Sequence, residues 1–236
     1  MFVALDKNGK RVDIEDAVKE EKYYCPCCGT EMIQKKGTIN VWHYAHKSLA
    51  NCDSWYEMSE WHKGWQGRFP ERFREVVVER DGKKHIADIK MGNLILELQH
   101  SSISTDTFIE RSKFYGDCGH IVWLFDFRDD FDRMDIVYDI DKYKNLICKV
   151  SWSNPKRFLD YIDCLDDFTL EDVTIFIELP GNLFIKILKM NSGLSNFKGR
   201  IYNKKQFINH IHWRCKEVTP ETLLHKENGI CRVYGI

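Results

Sequence analysis

Apolar and polar positions alternate with period two over EVVVER (75–80), KHIADIK (84–90) and LILELQH (94–100), which predicts three strands, and HIVWLFDF (120–127) reads as a fourth, buried strand. Asp81-Gly82 and Gly92-Asn93 stand between the first three as two-residue hairpin turns, so these form a meander. Helical spacing replaces alternation on either side of this meander. SWYEMSEWHKGWQGR (54–68) sets Trp61 and Trp65 four apart, and SISTDTFIERSKFYGDCG (102–119) opens on Ser and Thr caps and stops at Gly116 or Gly119. Strand, helix, strand of this length predicts that 120–127 runs parallel to 94–100. The order helix, three-strand meander, helix, strand is an α/β (α+β) core.

Upstream, FVALD and KRVDI around Asn8-Gly9 predict a hairpin, with a helical EDAVKEE (15–21) after it. Downstream, DIVYDI, LICKVSW, VTIFIEL and NLFIKILKM read as strands, the last two joined across Pro180-Gly181. PKRFLDYIDCL and KKQFINHIHWR read as helices. Three regions follow: an N-terminal module over 1–53, a core over 54–128, and an α+β extension over 129–236 packed on the core.

Counting outward from the turns gives a register. Met91 pairs with Leu94, so Asp88 faces Glu97 and Ile86 faces Gln99; the opposite face carries Ala87, Ile89, Met91, Leu94, Leu96 and Leu98 and must be core. The same count from Asp81-Gly82 sets Glu75 opposite Asp88. Three carboxylates in a row repel one another, so a positive group belongs between them. Oxygen ligands on a rigid sheet favour a hard cation such as Mg²⁺ or Mn²⁺.

Composition adds limits. The 236 residues carry a formal net charge of −1, so any phosphate binding rests on a local patch or a metal. Neither a secretory leader nor a long apolar span is visible, which predicts a cytoplasmic protein without membrane contact. The acidic run DFRDDFDRMDIVYDID (126–141) reads as a solvated loop or edge. Of nine cysteines, four fall between residues 25 and 52, while Cys118, Cys148, Cys164, Cys215 and Cys231 read as buried thiols. Residues 23–52 are too short and polar to make a core alone. Cys25-x-x-Cys28, closed by Gly29, and His43-x-x-His46 fit tetrahedral, structural Zn²⁺, with Cys52 in place of His43 as the alternative set. A redox pair within CPCC is the rival reading.

SEWHKGWQ, HIADI, ILELQHSSIS, ERSKFY and IVWLFD, in that order and after YYCPCCGTEM and WHYAHKS, resemble the competence protein CoiA family over roughly residues 1–127. That family is placed among the PD-(D/E)XK nucleases. The resemblance implies a restriction-endonuclease-like core and a Mg²⁺- or Mn²⁺-dependent DNA nuclease in which Asp88 and Glu97 hold the cation. The superfamily pattern usually has Lys two residues after the Glu; here Gln99 stands there and can orient water only through hydrogen bonds. Glu60 or Glu75 would complete the metal shell, and His62, Ser101, Arg111 and Tyr115 would meet DNA. A catalytically silent DNA- or protein-binding module is the alternative, and a protein partner on the C-terminal extension is a further expectation.

Overall fold

The computed structural model describes residues 1–48, 52–53, 58–152, 173–190, 196–215 and 232–234. The fold is mixed α+β, with two sheets and few helices. The chain divides into two compact units, Met1–Lys90 with Gly229–Ile236, and Met91–Asn228. These divisions differ from the boundaries at 53 and 128 drawn from the sequence pattern.

In the first unit, Val3–Leu5 (β1), Arg11–Asp13 (β2), Tyr23–Tyr24 (β3), Glu31–Lys35 (β4) and His43–His46 (β5) form a sheet in the order β2-β1-β3-β4-β5. The hairpin at Asn8-Gly9 is formed, with Val3 paired to Asp13 and Leu5 to Arg11. The helix expected over 15–21 is absent; the segment is a series of turns. Asp13 Oδ1 accepts from Glu15 N, and the Tyr23 hydroxyl accepts from Val18 N, local bonds that compete with a helical ladder. The module does share its core. Phe2, Ala4, Ile14, Tyr23, Met32 and Tyr44 cluster with Met58 and Val77 from beyond it.

Glu60–Gln66 (α1) starts at Ser59, whose hydroxyl accepts from His62 N. Trp61 and Trp65 are buried, as their spacing predicted. Arg74–Arg80 (β6) and Lys83–Met91 (β7) pair antiparallel with Arg80 opposite Lys83 and Val76 opposite Ala87, the register counted from Asp81-Gly82. Asp81 and Gly82 both take positive φ, 49° and 75°, as a tight primed turn requires.

The second unit holds Leu94–Gln99 (β8), Thr105–Gly116 (α2), His120–Asp126 (β9), Met134–Ile140 (β10), Leu146–Trp152 (β11), Val173–Leu179 (β12), Leu183–Met190 (β13), Asn196–Asn203 (β14) and Lys204–Cys215 (α3). Its strands run in the order β10-β11-β14-β13-β12-β9-β8. β8 and β9 are parallel, as predicted, with Glu97 beside Trp123 and Gln99 beside Phe125. β12 lies parallel against β9. The C-terminal strands therefore continue this sheet edge to edge, a correction to the expected extension packed on a core. β8 and β12 are buried along their whole length, which explains their near-continuous apolar runs. β14 was not foreseen, and the helix expected over 155–165 lies outside the described residues.

α2 covers one face of β9. Phe108 packs on Trp123 with ring centroids 4.9 Å apart, and Trp123 Nε1 donates to Ser112 Oγ. Gly119 is obligatory: a Cβ there would meet the Asn93 carbonyl oxygen at 2.0 Å. The acidic run ends in β10, the edge strand, with most of its side chains exposed. Cys118, expected as a buried thiol, is disulfide-bonded. Arg232–Tyr234 (β15), within the first unit, pairs antiparallel with β6.

Candidate functional site

In the first unit, Cys25, Cys28, His46 and Cys52 converge so that their ligand atoms all lie within 4.8 Å of one another. Cys25 Sγ and Cys52 Sγ are 3.8 Å apart, and Cys28 Sγ and His46 Nε2 3.4 Å. Zinc bonded tetrahedrally at ordinary lengths sets S···S edges of about 3.8 Å and S···N edges of about 3.5 Å. The cluster can hold a metal such as zinc. Burial lowers the pKa of His46, favouring the neutral imidazole that a metal takes. Without a cation, the hydrogen bond to Cys52, with burial, pushes the Cys25 thiol up.

His43 does not join this set; its Nδ1 lies 2.7 Å from the Val41 carbonyl oxygen. His43 and His46 both sit on β5, and residues three apart on a strand point to opposite faces. One can face the cluster and the other cannot, so Cys52 completes the set of four. Asp53, next in the chain, accepts from Ile86 N and contacts His85 Nδ1, both at 2.7 Å, which fixes the segment carrying Cys52 onto β7.

The carboxylates singled out in the strands have found positive or N–H partners within the protein. Glu75 stands between the pairs Arg74–Ile89 and Val76–Ala87, so its place opposite Asp88 was counted correctly. Yet Glu75 takes a left-handed φ of 45°, and its carboxylate accepts from Phe2 N and Val3 N at 2.8–2.9 Å. The expectation that it completes a metal shell meets a side chain committed to two buried amides. Asp88 Oδ1 lies 2.8 Å from His62 Nε2. Burial works against protonation of His62, but the Asp88 and Glu75 charges outweigh it and the pKa ends above 6.5.

In the second unit, Glu97 shares its face of β8 with Gln99 and is covered by α2. Its Oε2 accepts from Arg111 Nε at 3.0 Å and from an Arg111 terminal nitrogen at 2.7 Å. Arg111 also donates to the Tyr115 hydroxyl at 3.3 Å, and all three side chains are buried. Arg111 and Tyr115 do lie on one helix face as expected, but that face turns inward to Glu97. Gln99 Nε2 donates to the Ser101 carbonyl oxygen at 2.6 Å. Glu60 is exposed at the start of α1.

Two residues escaped the sequence reading. Lys90 follows Asp88 by two positions on β7 and so shares its face; burial pulls its ammonium down to about 8. Gln66 lies one turn beyond His62 on α1 and is buried. The i, i+2 spacing on a strand and the i, i+4 spacing on a helix were the signals available for each.

Residues 6–54 match the family model described as competence protein CoiA, N-terminal domain, a span that includes all four clustered ligands. No curated protein and no solved structure matches the chain. Among the described residues, no helix is long and apolar enough to cross a membrane.

Proposed function

We propose that the chain is a DNA nuclease that hydrolyses phosphodiester bonds with Mg²⁺ or Mn²⁺, built on a restriction-endonuclease-like core with a structural zinc module in front. The observation that carries this reading is the placing of ionised groups in otherwise apolar strands. Glu97 is a buried and Asp88 a half-buried carboxylate in otherwise apolar strands, and each is oriented by a basic residue from a neighbouring helix. The order α1, β6, β7, β8, α2, β9, with β8 parallel to β9, is the order the resemblance implies. The match over 6–54 supports a role in competence, hence in DNA uptake or processing.

Glu97 and the neutral amide of Gln99 share one face of β8, and carboxylate and amide oxygens are the donors that suit Mg²⁺. When bound, such a cation lowers the pKa of a water and polarises the phosphate. The chain's own residues do the positioning. His62 holds Asp88, Arg111 holds Glu97, and the Gln99 amide is oriented by the Ser101 carbonyl. Entry of a cation at Glu97 requires Arg111 to yield part of its hold, which then frees a guanidinium to meet phosphate.

The buried Glu97–Arg111 pair also favours a second reading, a DNA- or protein-binding module that keeps the fold without turnover. Cleavage of single- and double-stranded DNA in Mg²⁺ and in Mn²⁺ separates the two. A nuclease cuts only with metal and stops cutting in Glu97→Ala and Asp88→Ala; cleavage by both variants at the wild-type rate would overturn the assignment. A binder shows salt-dependent affinity that ignores the metal.

A further inference from the structure

Among the described residues, β10 ends the sheet of the second unit with only β11 beside it. An edge strand offers a row of backbone N–H and C=O groups to any strand that reaches it, and native edges are blunted by Lys, Pro, a bulge or short length. β10 has seven residues, an unbroken register with β11, and neither Lys nor Pro. Its side chains are open as well: Val137, Tyr138 and Ile140 are 65%, 53% and 65% exposed.

The turn after β10 shows which backbone groups face outward. Asp141 N donates to the Asn145 carbonyl oxygen, so alternation makes Asp139–Ile147, Val137–Lys149 and Asp135–Ser151 the pairs that bond to β11. Ile136, Tyr138 and Ile140 therefore turn their N–H and C=O groups to the open side. Ile140 N donates to Asp139 Oδ1 at 2.7 Å, as an outward amide can. The outward groups of Ile136 and Tyr138 are placed to pair with a further strand.

Charge decides what kind of strand fits. Asp135 and Asp139 are exposed on one face of β10, with Val137 between them and Lys149 of β11 opposite Val137. A second copy pairing antiparallel about Val137 would set Asp135 against Asp139 twice, and like charges directly opposite are unfavourable. A strand with Lys or Arg at two positions four apart meets both carboxylates, and β-branched or aromatic residues on its other face cover Tyr138 and Ile136. We infer that β10 is a docking edge for an extended segment of a partner protein with that alternation of basic and apolar residues, added to the sheet as a further strand. This is independent of the nuclease reading.

The test measures fluorescence anisotropy of a labelled peptide with the full chain, the peptide carrying two lysines four apart on one strand face and Val and Tyr on the other. The lysine peptide is expected to bind and its glutamate counterpart is not. Tyr138→Pro should raise Kd about tenfold, because it removes an outward N–H while leaving the bonds to β11 whole. Tyr138→Thr keeps that amide and should change Kd less. An unchanged Kd in Tyr138→Pro overturns the inference, as does equal binding of a peptide of the same composition with its lysines adjacent, or no binding of the lysine peptide. If Tyr138→Pro melts below wild type, Asp135→Lys decides instead: preference must shift toward the glutamate peptide, and a preference that stays put overturns the inference. A wild-type dimer in light scattering that Tyr138→Pro converts to monomer assigns the edge to a second copy and overturns it too.

Discussion

Polar groups are built into this protein on two opposite principles. At Cys25, Cys28, His46 and Cys52, three sulfurs and one imidazole nitrogen converge on one another with no arginine or lysine among them. At Asp88, Glu97 and Asp126, each carboxylate is met by a basic side chain: His62, Arg111, and His100 with Arg128. Sulfurs packed this closely lose their protons only to a cation from outside the chain, the arrangement a structural metal site uses. The carboxylates are already compensated, so their geometry is set before any cation arrives. The comparison separates two arrangements: in the N-terminal module the ligand atoms are gathered as a metal such as zinc would need them, while at the strands each carboxylate already has a basic partner from the chain.

The largest effect expected is loss of metal. Chelation, or Cys28→Ser, should melt the N-terminal sheet, because structural zinc contributes on the order of 10 kcal/mol of binding free energy to folding. Metal analysis with circular dichroism checks this. His46→Ala should lose the metal while His43→Ala keeps it; the reverse outcome would break the assigned ligand set.

Next in size is the buried ion pair. Arg111→Met leaves Glu97 charged and uncompensated among apolar neighbours, at a cost of about 3–5 kcal/mol in urea unfolding. The double variant Arg111→Met, Glu97→Leu should recover most of that loss. If the single variant unfolds like wild type, the strand carboxylate does not depend on its partner and the contrast between the clusters fails.

The smallest effect is a pH dependence at His62. Its folded pKa lies above 6.5, since Asp88 and Glu75 outweigh the opposing burial and the N-terminal ammonium of Met1. The stabilisation is thus full below about pH 6.5 and disappears as pH rises through the raised folded value. Titration of the imidazole by NMR should show this, and Asp88→Asn should drop the pKa as burial takes over. A His62 pKa below 6.5 in wild type would contradict the pair.

Much of the fold could be read along the chain. The turns at Asp81-Gly82 and Gly92-Asn93, the β6–β7 register, the parallel β8–β9 pair, and the apolar face from Ala87 to Leu98 all followed from periodicity and turn chemistry. These are local properties, set within a few residues by backbone sterics and the alternation of side chains. The need for positive charge beside the strand carboxylates was legible for the same reason. Which group supplies it was not.

That choice belongs to the tertiary structure. Arg111 reaches Glu97 because α2 folds back over β9 and its neighbour, His62 reaches Asp88 because α1 packs on the strand, and Glu75 leaves the row through a left-handed backbone angle. Cys52 rather than His43 completes the cluster because the alternation of β5 turns one histidine away from it. β12 joins β9 across the intervening β10 and β11. Each outcome depends on closing a long loop, and burial that excludes water then decides which partner a charge or ligand meets.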